Sequence, residues 1–409
     1  MKIRSITCFL DPEYPFNSEK LEQASRFNLT AKQTVENAGY IVQTTRLATT
    51  PFPILFAGLS DEEIIKAAQA FEKLVAKAGF SYMSLGPALI NHPKSYALIP
   101  QIISETENTF LCAEMATRDD GLSLPAVRAC AEIIHALAPQ DPNGFANLYF
   151  TALANTPAGS PFFPASYHNS NEPCFSYATE AASLAVGAFS QAASLNQAVD
   201  ILVSSINKHA AKLTKAGEET EKRTGIKFSG IDFSLAPYPD ESDSIGTAVE
   251  RMGVPEVGLH GSLAAAAILA DALDRANFNR VGFSGLLFAQ LEDSSLAHRA
   301  AEGSLTVKDL LMYSAVCGTG LDTIPLPGDV SPDEIAPLLL DLSALALRLD
   351  KPLTARLMPI PNKKAGDLTS FDFSFFANSR VMSLSSKPLR GHLLKDDAIT
   401  LSPRNSIKS

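Results

Sequence analysis

The sequence predicts an α/β protein built on a mainly parallel sheet. Short apolar runs of strand length alternate with longer stretches of helical periodicity along the 409 residues. That alternation calls for parallel strands with helices covering the sheet. The strand-like runs follow one another in an unbroken series of about ten, which favours a closed barrel over an open sheet. An irregular stretch at residues 155–173 divides the series, so one βα half precedes it and one follows.

The first run, residues 3–9, alternates and reaches Asp11-Pro12 too early for a signal peptide. Asn17 and Ser18 open a helix reaching about Asn37, and residues 41–48 form the next strand. Ser60-Asp61-Glu62-Glu63 starts a second helix with acids in its first turn, where they oppose the macrodipole. Residues 80–85 and 109–114 are strands, and Ser123-Leu124-Pro125 places a proline near the first position of a third helix. Residues 145–152 complete the first half. Between Asn155 and Pro173 lie four prolines among glycine, asparagine and aromatics, and a loop of that length in a compact domain usually has a function. Residues 178–221 are Ala-rich without an interior proline and read as two helices broken near Asn196. Strands follow at 228–235, 281–287, 321–325 and 354–359, with a helix starting at Ser331-Pro332-Asp333-Glu334. Residues 1–409 thus read as one large domain with an internal boundary near 155–175. Residues 370–409 form a Ser-rich, basic extension expected to wrap the surface or an oligomer partner.

Composition narrows the function classes. Hydrophobic residues make up 46% and charged residues 19%, as in a folded globular protein. A net charge of -10 disfavours a nucleic-acid surface, which needs a basic stripe. The longest apolar run, 263–270, stops at Asp271, well short of the roughly 20 residues of a membrane span. The five cysteines are scattered without a C-x-x-C, which argues against a structural zinc site or a disulfide framework. The expectation is a cytoplasmic chain that binds a small molecule, with no nucleic-acid or membrane partner, and forms a homodimer.

Residues 228–329 concentrate the polar groups at the ends of apolar segments. Asp232 and Ser234 share one face of a strand, and a carboxylate there must be paired, bind a metal or face a cavity. Glu292-Asp293 precedes an amphipathic helix; helix-end charge compensation accounts for one acid better than for both. His260, between Gly258 and Gly261, is either a general base or a helix-start histidine bonded to backbone. Cys317 lies in a glycine turn that lacks the Lys-Ser/Thr of a phosphate loop, and a free thiol is more often inert than nucleophilic. Asp232, Glu292, Asp322 and Asp329 would together suit Mg²⁺ or Ca²⁺ if they converge. In the irregular loop, His168 and Asn155 can meet a polar ligand. Arg46, at the end of the second strand, and Arg356, in the last strand, can hold a carboxylate or phosphate, or form buried ion pairs. No nicotinamide or flavin fingerprint is present.

These motifs resemble a known family. Ile231-Asp232-Phe233-Ser234-Leu235-Ala236-Pro237, His260-Gly261, Glu292-Asp293, Cys317-x-x-Gly320-Leu321-Asp322 and Pro327-Gly328-Asp329 are similar to uncharacterised protein family 0210, or domain of unknown function 711. The opening strand, Asn155 with the stretch from Pro161-Phe162 to His168, and the segments Arg356 to Pro359 and Lys364 to Asp367 extend the likeness. The resemblance implies the fold of pyruvate formate-lyase-like glycyl-radical enzymes, a ten-stranded α/β barrel of two five-stranded halves. The radical itself is not expected. Such enzymes carry a glycine after an Arg-Val pair, whereas here Arg380-Val381 is followed by Met382. Cys317 would then be a plain thiol.

The resulting expectation is a non-radical enzyme for a small anionic or polar metabolite. Asp232, Glu292 and Asp322 would serve acid/base work or, with Asp329, hold a cation. His168 or His260 would move protons, and Arg46 or Arg356 would hold the substrate beside Asn155 and Ser234. The alternative is a non-catalytic small-molecule-binding or regulatory protein.

Overall fold

The computed structural model describes residues 1–404 and has a mixed α/β architecture around one large sheet. Its strands are β1 (Lys2–Phe9), β2 (Val42–Ala48), β3 (Tyr82–Ala88), β4 (Thr109–Thr117), β5 (Gly121–Ser123), β6 (Phe150–Ala154), β7 (Cys174–Glu180), β8 (Lys227–Asp232), β9 (Gly320–Pro327), β10 (Leu353–Ile360) and β11 (Ala398–Ile399). The main path runs β8-β7-β1-β2-β3-β4-β6-β10-β9, with β5 and β11 off it.

The strands fall into two parallel groups. β1, β2, β3, β4 and β6 are parallel, all before the irregular loop. After it, β7 pairs with β8 and β10 with β9, again in parallel. The groups meet antiparallel at two seams, β1 with β7 and β6 with β10. Sequence periodicity therefore finds most of the strands but not β7, whose last three residues read as the start of the Ala-rich helical stretch and whose first four follow the irregular loop. The helices in that region are Ala182–Gln191 and Leu195–Thr224, separated just before Leu195.

The sheet is not closed by strand pairing, as the expected barrel would require. Residues 280–289, which include the expected strand 281–287, touch both free edges only at isolated points. Ile231 of β8 bridges Arg280, Leu235 bridges Leu286, and Ala289 bridges Asp322 of β9. Gly282 and Ser284 have φ of 61° and 40°, which interrupts an extended chain here. At Gly282 a Cβ would collide with the Asp232 carboxylate, so the tight approach needs glycine.

The helix ends follow the local chemistry. Asn17 caps Ser18–Asn37 through its side chain, and Ser60 and Glu63 form a capping box on Asp61–Lys77. Ser123 caps Leu124–Leu137, and Ser331 with Glu334 boxes Pro332–Leu349. Their apolar faces cover the sheet. No helix among the described residues is long and apolar enough to cross a membrane.

The irregular loop runs against the inner face of the sheet. Ser5 and Thr7 of β1 donate to Pro161 O at 3.0 and 3.1 Å, and Ser84 of β3 donates to Ser166 O at 2.7 Å. The tail wraps the chain's own surface: β11 pairs with β5, and Arg128 pairs with Asp396. Residues 371–382 go deeper than a surface wrap. Phe371, Phe376 and Val381 are buried with Leu148, Leu291, Met358 and Ile360.

Candidate functional site

Strand sides, the irregular loop and the tail enclose a cavity of about 100 Å³. One water needs roughly 10–15 Å³ on that measure, so the space suits a small molecule. Its charged lining is Arg4, Arg46, Arg356, Glu292 and Asp322. Thr44, Thr151, Thr319 and Thr354 also line it, and aromatic residues form much of the remainder.

Backbone irregularities aim three of these groups. The β1–β7 register skips at Arg4, between the pairs Ile3–Thr179 and Ser5–Ala178. Between β9 and β10, Leu321 faces Ala355 and Ile324 faces Leu357, so Asp322 and Thr323 oppose the single residue Arg356. Thr323 has a positive φ of 49°, unusual for a β-branched residue. Such bulges redirect side chains and recur beside functional sites.

Arg356 binds both acids. It donates to Asp322 through Nε at 2.6 Å and Nη2 at 3.0 Å, and to Glu292 Oε1 at 2.9 Å. Arg4 joins Glu292 Oε2 to Glu180, reaching the latter at 2.9 Å. Burial tends to raise the Glu292 pKa, but Arg4 and Arg356 outweigh it and hold the carboxyl below its usual range. Asp322 goes the other way: burial raises it, Arg356 opposes, and the charge of Glu292 adds to the rise. The two adjacent acids are thus shifted in opposite directions.

Arg46 differs from both. Its Nε donates to Thr44 Oγ1 at 2.9 Å and its guanidinium lies 5.0 Å from the Phe163 ring centre. Among the described residues it has no ion-pair partner, although its side chain is buried. Burial, and then the charge of Arg4, push its pKa down to about 9. Glu292 opposes this fall only through space; a buried cation without a direct ion-pair partner is costly, so this wall of the cavity favours an anion.

The remaining predicted residues lie elsewhere. Asp232 is buried and accepts from Ser234 Oγ at 2.5 Å, Phe283 N at 2.7 Å and Ser284 N at 2.8 Å. Burial raises it to about 6. With Ser234 it holds the 280–289 segment and does not line the cavity. Asp293 caps the helix Ser294–Glu302 and accepts from Ser244, Ile245 and Gly246, so only Glu292 of that pair faces the cavity. Asp329 is exposed beyond the far end of β9 from Asp322. The four proposed cation ligands therefore do not converge, and among the described residues no group of three His, Cys, Asp or Glu side chains is arranged for a metal.

His260 is exposed at a turn. His168 is buried near Phe9 with its Nε2 unpartnered, and burial lowers its pKa, but it is not in the cavity wall. Cys317 is buried in the apolar core, and Asn155 lies 3.5 Å from Asp350. Sequence reading passed over Arg4, Phe373 and Phe375. A charge inside the apolar alternation Ile3-Arg4-Ser5-Ile6 was the available signal for the first, and the run Phe371-Asp372-Phe373-Ser374-Phe375-Phe376 for the others.

A family model described as Uncharacterised ACR (DUF711) matches residues 1–379. Among curated proteins, a UPF0210 protein of Pyrobaculum arsenaticum is 32% identical over 361 residues, covering 84% of this chain and 79% of the relative. One from Pyrobaculum aerophilum is 33% identical over 347 residues, covering 80% and 76%. Another, from Acetivibrio thermocellus, is 28% identical over 391 residues, covering 91% and 85%.

Proposed function

The chain belongs to the DUF711 family, and for it we propose an enzyme that binds a small anionic metabolite in the arginine-lined cavity and moves a proton there without a radical. The observation that carries this reading is Arg46: a buried guanidinium at the cavity wall with no carboxylate partner. An anion supplied by the ligand would complete its charge-assisted contacts. Asp322, ionised against Arg356 at rest, would accept the proton, its basicity raised by burial and by the charge of Glu292, and Glu292, held below its usual range by Arg4 and Arg356, would stabilise positive charge developing nearby. Three guanidiniums around these acids disfavour a divalent cation at this spot, so acid/base work fits better than a metal role. The same reading takes the fold to be a ten-stranded barrel of the glycyl-radical-enzyme type, closed through residues 280–289; the three parallel bridges support it.

One observation favours a non-catalytic binding role instead. Oxygens of both acids are already engaged by Arg4 and Arg356, as in a rigid recognition frame. Calorimetric titration with acetate tests the part common to both readings. Arg46→Gln should weaken binding by roughly 30-fold or more, the effect of losing about 2 kcal/mol or more at a buried charged contact. Unchanged affinity in that variant would remove the anion site.

A further inference from the structure

We infer that the ligand is a monoanion with a flat apolar body, a monocarboxylate rather than a phosphate or dicarboxylate, and that Phe373 and Phe375 of the C-terminal segment close over that body. This rests on the anion reading of Arg46 and specifies it further. The first support is charge. Three arginines and two carboxylates line the cavity, leaving one positive charge, located at Arg46. One negative charge balances it. A second would stand beside Glu292 and Asp322 and be repelled.

The second support is the aromatic wall beside the charges. Phe110, Phe162, Phe163, Phe283, Phe373 and Phe375 all line the space. Ring contacts form a continuous series from the anion end to the tail. Phe163 lies 5.3 Å from Phe110, which is 4.8 Å from Tyr149; Tyr149 is 6.3 Å from Phe145, and Phe145 is 5.1 Å from Phe373. Phe373 in turn is 5.4 Å from Phe375, which lies over Arg4. Planar apolar groups are favoured beside such faces and edges.

The third support is the tail. Phe371 and Phe376 are buried in their own cluster, while Phe373 and Phe375 between them are only half-buried and face the cavity. The backbone is tied at Ala377 N to Leu291 O, 2.7 Å, next to Glu292. The strap is thus anchored at both ends, and its two middle rings, packed on Phe145 and on Tyr238 and Arg4, present their remaining surface to the cavity.

The test is calorimetric titration of the full chain with acetate, benzoate, phthalate and inorganic phosphate, repeated with Arg46→Gln and Phe375→Ala. Benzoate should bind at least about tenfold more tightly than acetate, and phthalate and phosphate more weakly than benzoate. Phe375→Ala should collapse the benzoate-to-acetate ratio, and Phe373→Ala serves if that variant does not fold. Phosphate or phthalate binding more tightly than benzoate overturns the monoanion assignment. A benzoate-to-acetate ratio near one, with both ligands still dependent on Arg46, overturns only this inference. Loss of all Arg46 dependence overturns the anion reading beneath it.

Discussion

Two buried aspartates, Asp232 at the C-terminal end of β8 and Asp322 near the start of β9, meet different fates. Asp232 accepts from two backbone N–H groups and a serine and has no cationic partner. Asp322 faces a guanidinium and an empty space. The first is a strut that fixes the turn carrying Phe283; the second belongs to a site. Burial and acidity, which they share, do not separate structural from functional carboxylates. The kind of donor each meets does.

The arginine-tied region should be the more sensitive to loss of a partner. Arg356→Leu leaves Glu292 beside Arg4 and strands Asp322, and should cost about 3–5 kcal/mol in urea denaturation at pH 7. A cost under about 1 kcal/mol would mean that water already solvates these acids. Asp232→Ala orphans the N–H groups of Phe283 and Ser284 and should cost about 2–4 kcal/mol. Its acetate affinity should fall far less than that of Arg46→Gln. If the two variants lose affinity equally, the strut and the site are one unit and the contrast fails.

The same contrast explains what could be read from the sequence. Caps and periodicity located the helices at Ser18, Asp61, Leu124 and Pro332, because their signals are local. They also found the parallel strands that are buried on both faces. β7 was lost because its seven residues run directly into an Ala-rich helix, and only pairing with β1 holds them extended. Residues 281–287 looked like a strand, but Asp232 holds Gly282 to Ser284 in a turn, a long-range effect. Of the site, Arg46, Glu292, Asp322 and Arg356 were legible as residue types at strand and helix ends. Their grouping apart from Asp232 and Asp329 depends on the bulge opposite Arg356, which has no local signature.

A third carboxyl sharpens the comparison by having no cationic partner and only one weak backbone donor. Glu114 of β4 is largely buried, accepts only a long contact from Ile90 N at 3.4 Å and makes no ion pair among the described residues. Burial raises its pKa to about 7, with Asp120 adding to the rise. The folded state therefore holds this proton more tightly than the unfolded chain does. The stability linked to it is fully present below the usual glutamate value near 4.3 and is lost as pH rises through about 7. Glu114→Gln keeps the acceptor and removes the charge. Relative to the parent, it should gain roughly 1–3 kcal/mol in urea denaturation between pH 5 and pH 8. A parallel pair of stability curves would show that Glu114 is solvated like a surface acid, and that lack of a partner alone does not distinguish a third environment.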